Sequence, residues 1–317
     1  MRTIDVVILV APKDTEKAQS CLAGILQNSL NPIRKVHIVA PEQFALEGPL
    51  DVPVSWVLDA EFPFSAGDIR EVLRRKGSQH ENASWYYQQL LKLYAFRAID
   101  GLAEDFLILD SDFIITKRVR FVTGEGKGVL AFGYPFKWLL GTSEYPESVE
   151  HVHADFAANL VPGWRPQHPF SGMQHHMLFQ RAILEDLFAV VERTWEQEFW
   201  QAFIDHVAVE KWNAASEYVI YHHFALSRHS DKVVTHHMNT RDLIFDSDER
   251  DAPWKLLDEA GGQGQFSAIG FHGFLKLRER LATMDYIPDA LRREMLTAKR
   301  PIFKLTLQDG SLAIEGA

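Results

Sequence analysis

Only one cysteine, Cys21, occurs in 317 residues. A single thiol excludes an internal disulfide framework and any site built from several thiolates, and it fits a reducing compartment. Long apolar runs are also missing, and none approaches the roughly 20 residues that span a bilayer. The chain therefore reads as soluble, with peripheral membrane contact the most that this pattern allows. The short apolar stretch in "MRTIDVVILVAPKD" follows Asp5 and suits a core strand better than a signal peptide, so a cytoplasmic protein is expected. There is no excess of basic residues: 33 Lys and Arg face 43 Asp and Glu, for a net charge of −10. That balance argues against a general nucleic-acid binder, which neutralises phosphates with clustered Lys and Arg. The short basic runs "REVLRRKG" and "LRREMLTAKR" carry acidic neighbours and read as solvated helix faces. Neither internal repeats nor low-complexity segments are present. Fourteen histidines occur, but without H-E-x-x-H or Cys/His spacing, which argues against a zinc site.

What is present is the pattern of an α/β sheet. "IDVVILVAP" (4–12) is a continuous apolar run rich in β-branched residues and closed by Pro12, as in a strand covered on both faces. The next segment offers Asp14 or Thr15 as a helix cap and an apolar stripe at Ala18, Cys21, Leu22, Ile25 and Leu26. "KVHIVAP" (35–41) and "VSWVLDAE" (54–61) read as further strands. Strand, helix, strand at these lengths is a βαβ unit, so the N-terminal half is expected to be an open, mostly parallel sheet flanked by helices. Residues 81–100 place Tyr87, Leu90, Leu91, Tyr94 and Ala98 on one helical face, and that helix leads into "DFLILDSD". The strand 106–109 is expected to be central, with Asp110, Ser111 and Asp112 at its carboxyl end.

In open α/β sheets, ligands bind in the crevice outside the carboxyl ends of the strands. Two carboxylates two residues apart at such an end can hold a hard divalent cation and leave positions for ligand phosphates. As a bare string, however, Asp-Ser-Asp also suits a turn whose side chains bond local amides.

The block "FLILDSDFIITKRV", the aromatic helix "SWYYQQLLKLYAF", the segment "GMQHHMLFQRAILEDLF" and "SEYVIYHHF" together resemble a family of bacterial proteins related to GT-A nucleotide-diphospho-sugar glycosyltransferases. The resemblance spans roughly residues 4–280 and rests on the order and spacing of these blocks. It implies a GT-A-like, Rossmann-like sheet with a helical C-terminal part. Residues 1–120 would bind the nucleotide sugar, 121–285 would supply the acceptor-binding and catalytic half, and 286–317 would form an extension. It further implies that Asp110 and Asp112 bind Mn2+ or Mg2+ bridging the donor diphosphate, with Ser111 between them. The loop after the first strand, with Ala11 and Pro12, would meet the nucleotide, and Asp59 would contact base or ribose. Gln88, Gln89 and Lys92, off the apolar stripe and with Gln88 and Lys92 one turn apart, would face the donor sugar or diphosphate, or else solvent.

The same resemblance places acceptor-side residues in "QHPFSGMQHHMLFQRAILEDLF", read as a polar loop joined to a helix starting near Ser171 or Gly172. His175 or His176 would hydrogen-bond there. Glu217, in the first turn of a helix over 213–226, is the candidate general base of an inverting enzyme, since a helix N-terminus favours the ionised carboxylate. "GFHGFLKLRERL" (270–281) faintly resembles the C-terminal segment of retaining, glycogenin-like enzymes, which makes His272 a candidate metal ligand and Lys276 a candidate diphosphate partner. The spacing departs from that pattern and the following Pro-Trp is absent, so an inverting outcome is only slightly favoured. His236 or His237 is a rival ligand, with Arg241 as a diphosphate partner, and the Gly-rich stretch at 261–264 is a candidate lid.

The expected activity is metal-dependent transfer of a sugar from a nucleotide-sugar donor to a carbohydrate or glycoconjugate hydroxyl, in bacterial surface polysaccharide or glycoconjugate synthesis. The alternatives are a sugar nucleotidyltransferase, which would usually carry a Gly-rich first loop that "LVAPKD" lacks, and a non-catalytic sugar-nucleotide or carbohydrate-binding relative.

Overall fold

Ile4–Leu9 (β1) is buried at every position, as its unbroken apolar run requires of a strand covered on both faces. The computed structural model describes residues 2–46, 50–78, 82–133, 136, 151–211, 213–238, 240–244, 267–272, 303–308 and 311–316. After β1 the elements are α1 (Thr15–Asn28), β2 (Ile33–Ala40), β3 (Val54–Leu58), α2 (Ala66–Arg75), α3 (Ala83–Ala98), β4 (Asp105–Asp110), β5 (Phe113–Ile115) and β6 (Gly128–Ala131). Then come α4 (Val152–Leu160), β7 (His176–Gln180), α5 (Arg181–Trp195), α6 (Phe199–Asp205), α7 (Glu217–Arg228), β8 (Val233–His236), β9 (Thr240–Ile244), β10 (Ala268–His272), β11 (Phe303–Gln308) and β12 (Ser311–Gly316). The class is mixed α/β with a mostly parallel central sheet flanked by helices.

Two compact units account for these elements. One takes Met1–Glu16, Asn31–Ser111 and Arg120–His236, the other Lys17–Leu30, Asp112–Val119 and His237–Ala317.

The first unit holds a five-stranded sheet in the order β3-β2-β1-β4-β7. β1 runs parallel to β2 and β4, and β2 parallel to β3. Only β7 is antiparallel, pairing Leu109 of β4 with His176. Placing β1 and β4 inside the sheet agrees with their apolar sequences. A single core joins sheet residues such as Val7, Val39, Val57, Phe106 and Ile108 to the helices α2 to α7. Its aromatic centre includes Tyr94, Phe188 and Phe199, the last two rings stacked at 3.9 Å. α3 is buried over most of its surface, with ten of its 16 residues buried, Gln89 and Lys92 among them. An expectation of one apolar stripe therefore understates its burial.

The segment read as loop plus helix from Ser171 is different. The helix begins at Arg181, and the five residues before it form β7. Five residues are too few for periodicity to separate strand from helix, and pairing with β4 decides the matter.

In the second unit, four of the five residues of the expected α1 stripe, Ala18, Cys21, Leu22 and Ile25, are fully buried, and Leu26 is half-buried. Gly24 of this helix lies against β5, where a Cβ would stand 2.8 Å from the Ile115 carbonyl oxygen. Asn28 donates to that same oxygen at 2.9 Å. β10 pairs antiparallel with β5 and parallel with β9. β11 and β12 form an antiparallel hairpin in the region where a helical C-terminal part was expected. Among the described residues, no helix is long and apolar enough to cross a membrane.

Candidate functional site

Parallel pairing puts the carboxyl ends of β1, β3 and β4 at the same end of the sheet. Ala11 and Pro12 follow β1 in an exposed turn, and Asp59 follows β3 in another. Tyr87 of α3 donates to the Asp59 carbonyl oxygen at 3.3 Å. Asp110 ends β4, and Ser111 after it is 7% exposed. Because β7 runs antiparallel beside β4, its leading residue meets that end: the Asp110 amide donates to the His175 carbonyl oxygen at 2.9 Å. The His175 ring then lies beside the carboxylate, with Nδ1 3.2 Å from Asp110 Oδ2. Strand alternation sends His176 the other way, into the core against the Phe121 ring. Burial pushes the His176 imidazole down to about 3.

The other carboxylate oxygen is taken from above. Lys92 on α3 places Nζ 2.6 Å from Asp110 Oδ1 and 2.7 Å from Glu217 Oε1. The ammonium also lies 4.5 Å from the centre of the Tyr218 ring. Lys92 and Glu217 are each 3% exposed, so the expectation that Lys92 lies on a donor-facing or solvated face gives way to a buried ion cluster. Gln88, one turn earlier, is half-buried. Its neighbour Gln89, expected to face the donor or solvent, is instead buried and clamps the start of α7: Nε2 donates to the Ala215 carbonyl oxygen at 2.9 Å, and Oε1 accepts from the Glu217 amide at 3.1 Å. Ser216 caps α7, accepting from the Val219 amide.

The electrostatics follow from burial and pairing. Burial opposes the Lys92 ammonium, but Asp110 and Glu217 together hold its pKa well above the ordinary lysine value. Burial alone would raise the Asp110 carboxyl, yet Lys92 and His175 hold it below the usual range. For Glu217, burial outweighs Lys92 and the carboxyl is raised. The cluster thus contains two carboxylates for one ammonium.

Among the described residues, two groups of three have side chains suited to a metal ion: Asp110, Asp112 and His175, and His168, His222 and His223. In the first, His175 Nδ1 and Asp110 Oδ2 are 3.2 Å apart. Neighbouring ligands of an octahedral cation with bonds of about 2.1 Å stand about 3 Å apart. These donors therefore fit a divalent cation. The second group does not fit a metal as well. His168 Nδ1 accepts from the Phe170 amide and His223 Nδ1 from the Gln167 amide. Those bonds put the hydrogen on Nε2, where a metal needs a lone pair, whereas a ligating histidine normally donates its other N–H. His168 Nε2 then donates to His222 Nε2 at 3.0 Å. Burial keeps these imidazoles neutral, with His168 pushed down to about 4.

His272 ends β10, and only its backbone is described. Lys276 and the stretch 261–264 lie outside the described residues, as does the side chain of Arg241. His236 ends β8 and is exposed, and His237 follows it half-buried.

One solved structure that the chain resembles is the crystal structure of mouse xyloside xylosyltransferase 1 in its apo form, at 12% sequence identity and a TM-score of 0.42. The match covers 84% of this chain and 97% of that one. No curated protein matches the sequence. A family model matches residues 3–251, and the chain belongs to that family, DUF6492, a family of unknown function.

Proposed function

We propose that this protein is a divalent-cation-dependent glycosyltransferase, moving a sugar from a nucleotide-sugar donor to a hydroxyl of a carbohydrate or glycoconjugate. The observation that carries the proposal is the pairing of Asp110 with His175 at the carboxyl end of an interior strand in a mostly parallel sheet. In this reading Asp110, Asp112 and His175 hold the cation. When bound, the cation would neutralise charge growing on the departing nucleoside diphosphate.

Ala11, Pro12 and Asp59, at the same end of the sheet, line the nucleotide side, and Ser111 fixes the spacing of the two aspartates. Gln88 is assigned to the donor side, and His272 and Lys276 keep the roles that the resemblance implies, a metal ligand and a diphosphate partner. Glu217 receives a different role from that of a general base. Its carboxyl group faces Lys92 and is buried, a position suited to holding that ammonium rather than to deprotonating an incoming hydroxyl. His176, sealed in the core, is assigned to packing, and His175 remains the imidazole that reaches the site.

A screen of uridine, guanosine, adenosine and cytidine nucleotide sugars for thermal stabilisation, with and without Mn2+, tests the proposal. The expected result is a rise in melting temperature of a few degrees for one nucleotide class, dependent on Mn2+ and lost in a folded Asp110→Asn variant. No shift with any nucleoside diphosphate or nucleotide sugar would contradict it. Stabilisation without sugar transfer or release after long incubation would point to a non-catalytic binder.

A further inference from the structure

Resting on the metal centre proposed above, we infer that Lys92 is a built-in counter-cation. Held between Asp110 and Glu217, its ammonium offsets negative charge at Asp110 and so sets how tightly a divalent cation binds there. Lys92 is 3% exposed and meets both carboxylates at short range, 2.6 Å and 2.7 Å. A buried ammonium persists only where carboxylates satisfy it, and it is held here from two elements far apart in sequence, β4 and the first turn of α7.

A divalent cation arriving at Asp110 Oδ2 must therefore share this carboxylate with a positive charge already bound at Oδ1. Two like charges a few ångströms apart, with little water between them, repel strongly even at a generous effective dielectric. The cation alone is consequently bound weakly. A nucleoside diphosphate brings the missing negative charge, so metal and diphosphate bind better together than the metal does alone. Lys92 acts through Asp110 as a positioning residue, and Glu217 tempers it by sharing the ammonium. This differs from the sequence expectation, in which Lys92 faced the donor sugar or diphosphate, or else solvent.

The test is direct titration of Mn2+ into the full chain by calorimetry, without nucleotide, for wild type, Lys92→Met, Glu217→Gln and the double variant, with circular dichroism to establish folding. Lys92→Met is expected to bind Mn2+ at least about tenfold more tightly than wild type. Glu217→Gln leaves the ammonium to Asp110 alone and should bind several-fold more weakly. The double variant has lost both charges, the nearer one being that of Lys92, and should be tighter than wild type but weaker than Lys92→Met.

A folded Lys92→Met variant with wild-type or weaker affinity overturns the inference while leaving the metal centre standing. If Lys92→Met does not fold, the double variant decides, since it leaves no ammonium and one fewer carboxylate in the interior. Affinity equal to or below wild type then overturns the inference. Absence of Mn2+ binding in wild type and every variant overturns the metal centre and this inference together.

Discussion

Asp5 on β1 and His37 on β2 meet inside the sheet, with His37 Nε2 3.2 Å from Asp5 Oδ2. A carboxylate only accepts, so His37 Nε2 carries the hydrogen of this bond. Ser55 on β3 meets the other ring nitrogen at 2.8 Å, joining three adjacent strands through side chains. Arg34 pairs with the same carboxylate, and the Ala103 amide donates to it at 3.0 Å.

Burial alone would raise the Asp5 carboxyl, but His37, Arg34 and the Ala103 amide hold it far below the ordinary aspartate range. The sign of the pH dependence follows from that direction. A carboxyl depressed on folding stabilises the protein above its unfolded pKa, near 3.9, and that stability is lost as pH falls towards the folded value. Asp5→Asn should therefore destabilise the protein at neutral pH by on the order of 2 kcal/mol, the half-exposed Arg34 being partly screened. Its unfolding free energy should also fall less steeply than that of wild type below about pH 4. Urea unfolding across pH 3 to 7 checks both effects, and parallel acid limbs for the two proteins would refute the assignment.

Gln89 holds the first turn of α7 by both ends of its carboxamide, and Lys92 one turn along the same helix holds its Glu217 side chain. Gln89→Leu leaves the Glu217 amide and the Ala215 carbonyl without these bonds in a buried position, although Trp85 Nε1 still donates to Ala215 at 3.1 Å. The expected cost is about 1–3 kcal/mol. Because the loosened turn carries Glu217, the change should also reduce the shielding of Lys92 and weaken Mn2+ binding. Chemical unfolding reads the first effect and calorimetry the second. Wild-type values in both would mean that the clamp is incidental.

The strands β1 to β4 and the helices α1, α3 and α7 were legible because each carries a short run rich in apolar residues or a helical stripe. β7 was not. "HMLFQ" has no period of its own, and its conformation is fixed by pairing with β4, whose Leu109 lies 67 positions before its partner His176. With β7 unread, His175 was placed at a helix start on the acceptor side, although the strand register sets it against Asp110. The ends of the Lys92–Glu217 pair were each noticed, but they lie 125 residues apart. Nothing local in "QQLLKLYAF" shows that its lysine points inward, because the same letters serve on a solvated face. Contacts of this range are decided by tertiary packing, to which a pattern of local periods is blind.

Gly172 offers the most localised prediction. Its φ of +72° lies in the left-handed region, and an added Cβ would stand 2.2 Å from Cγ of His222. Gly172→Ala therefore meets two penalties, backbone strain of about 1 kcal/mol and a collision that displaces a buried imidazole. Moving that ring also breaks its 3.0 Å bond to His168. Total destabilisation should exceed about 2 kcal/mol. His222→Ala removes the colliding ring atoms Cγ and Nδ1 but leaves the Cβ, 2.5 Å away, and the backbone strain, so combining it with Gly172→Ala should cost less than the sum of the two single changes. A double-mutant cycle by urea unfolding measures that coupling. Strict additivity would show that the ring yields without cost, leaving the left-handed backbone and the contact with the residue 222 Cβ as the reasons for glycine at this position.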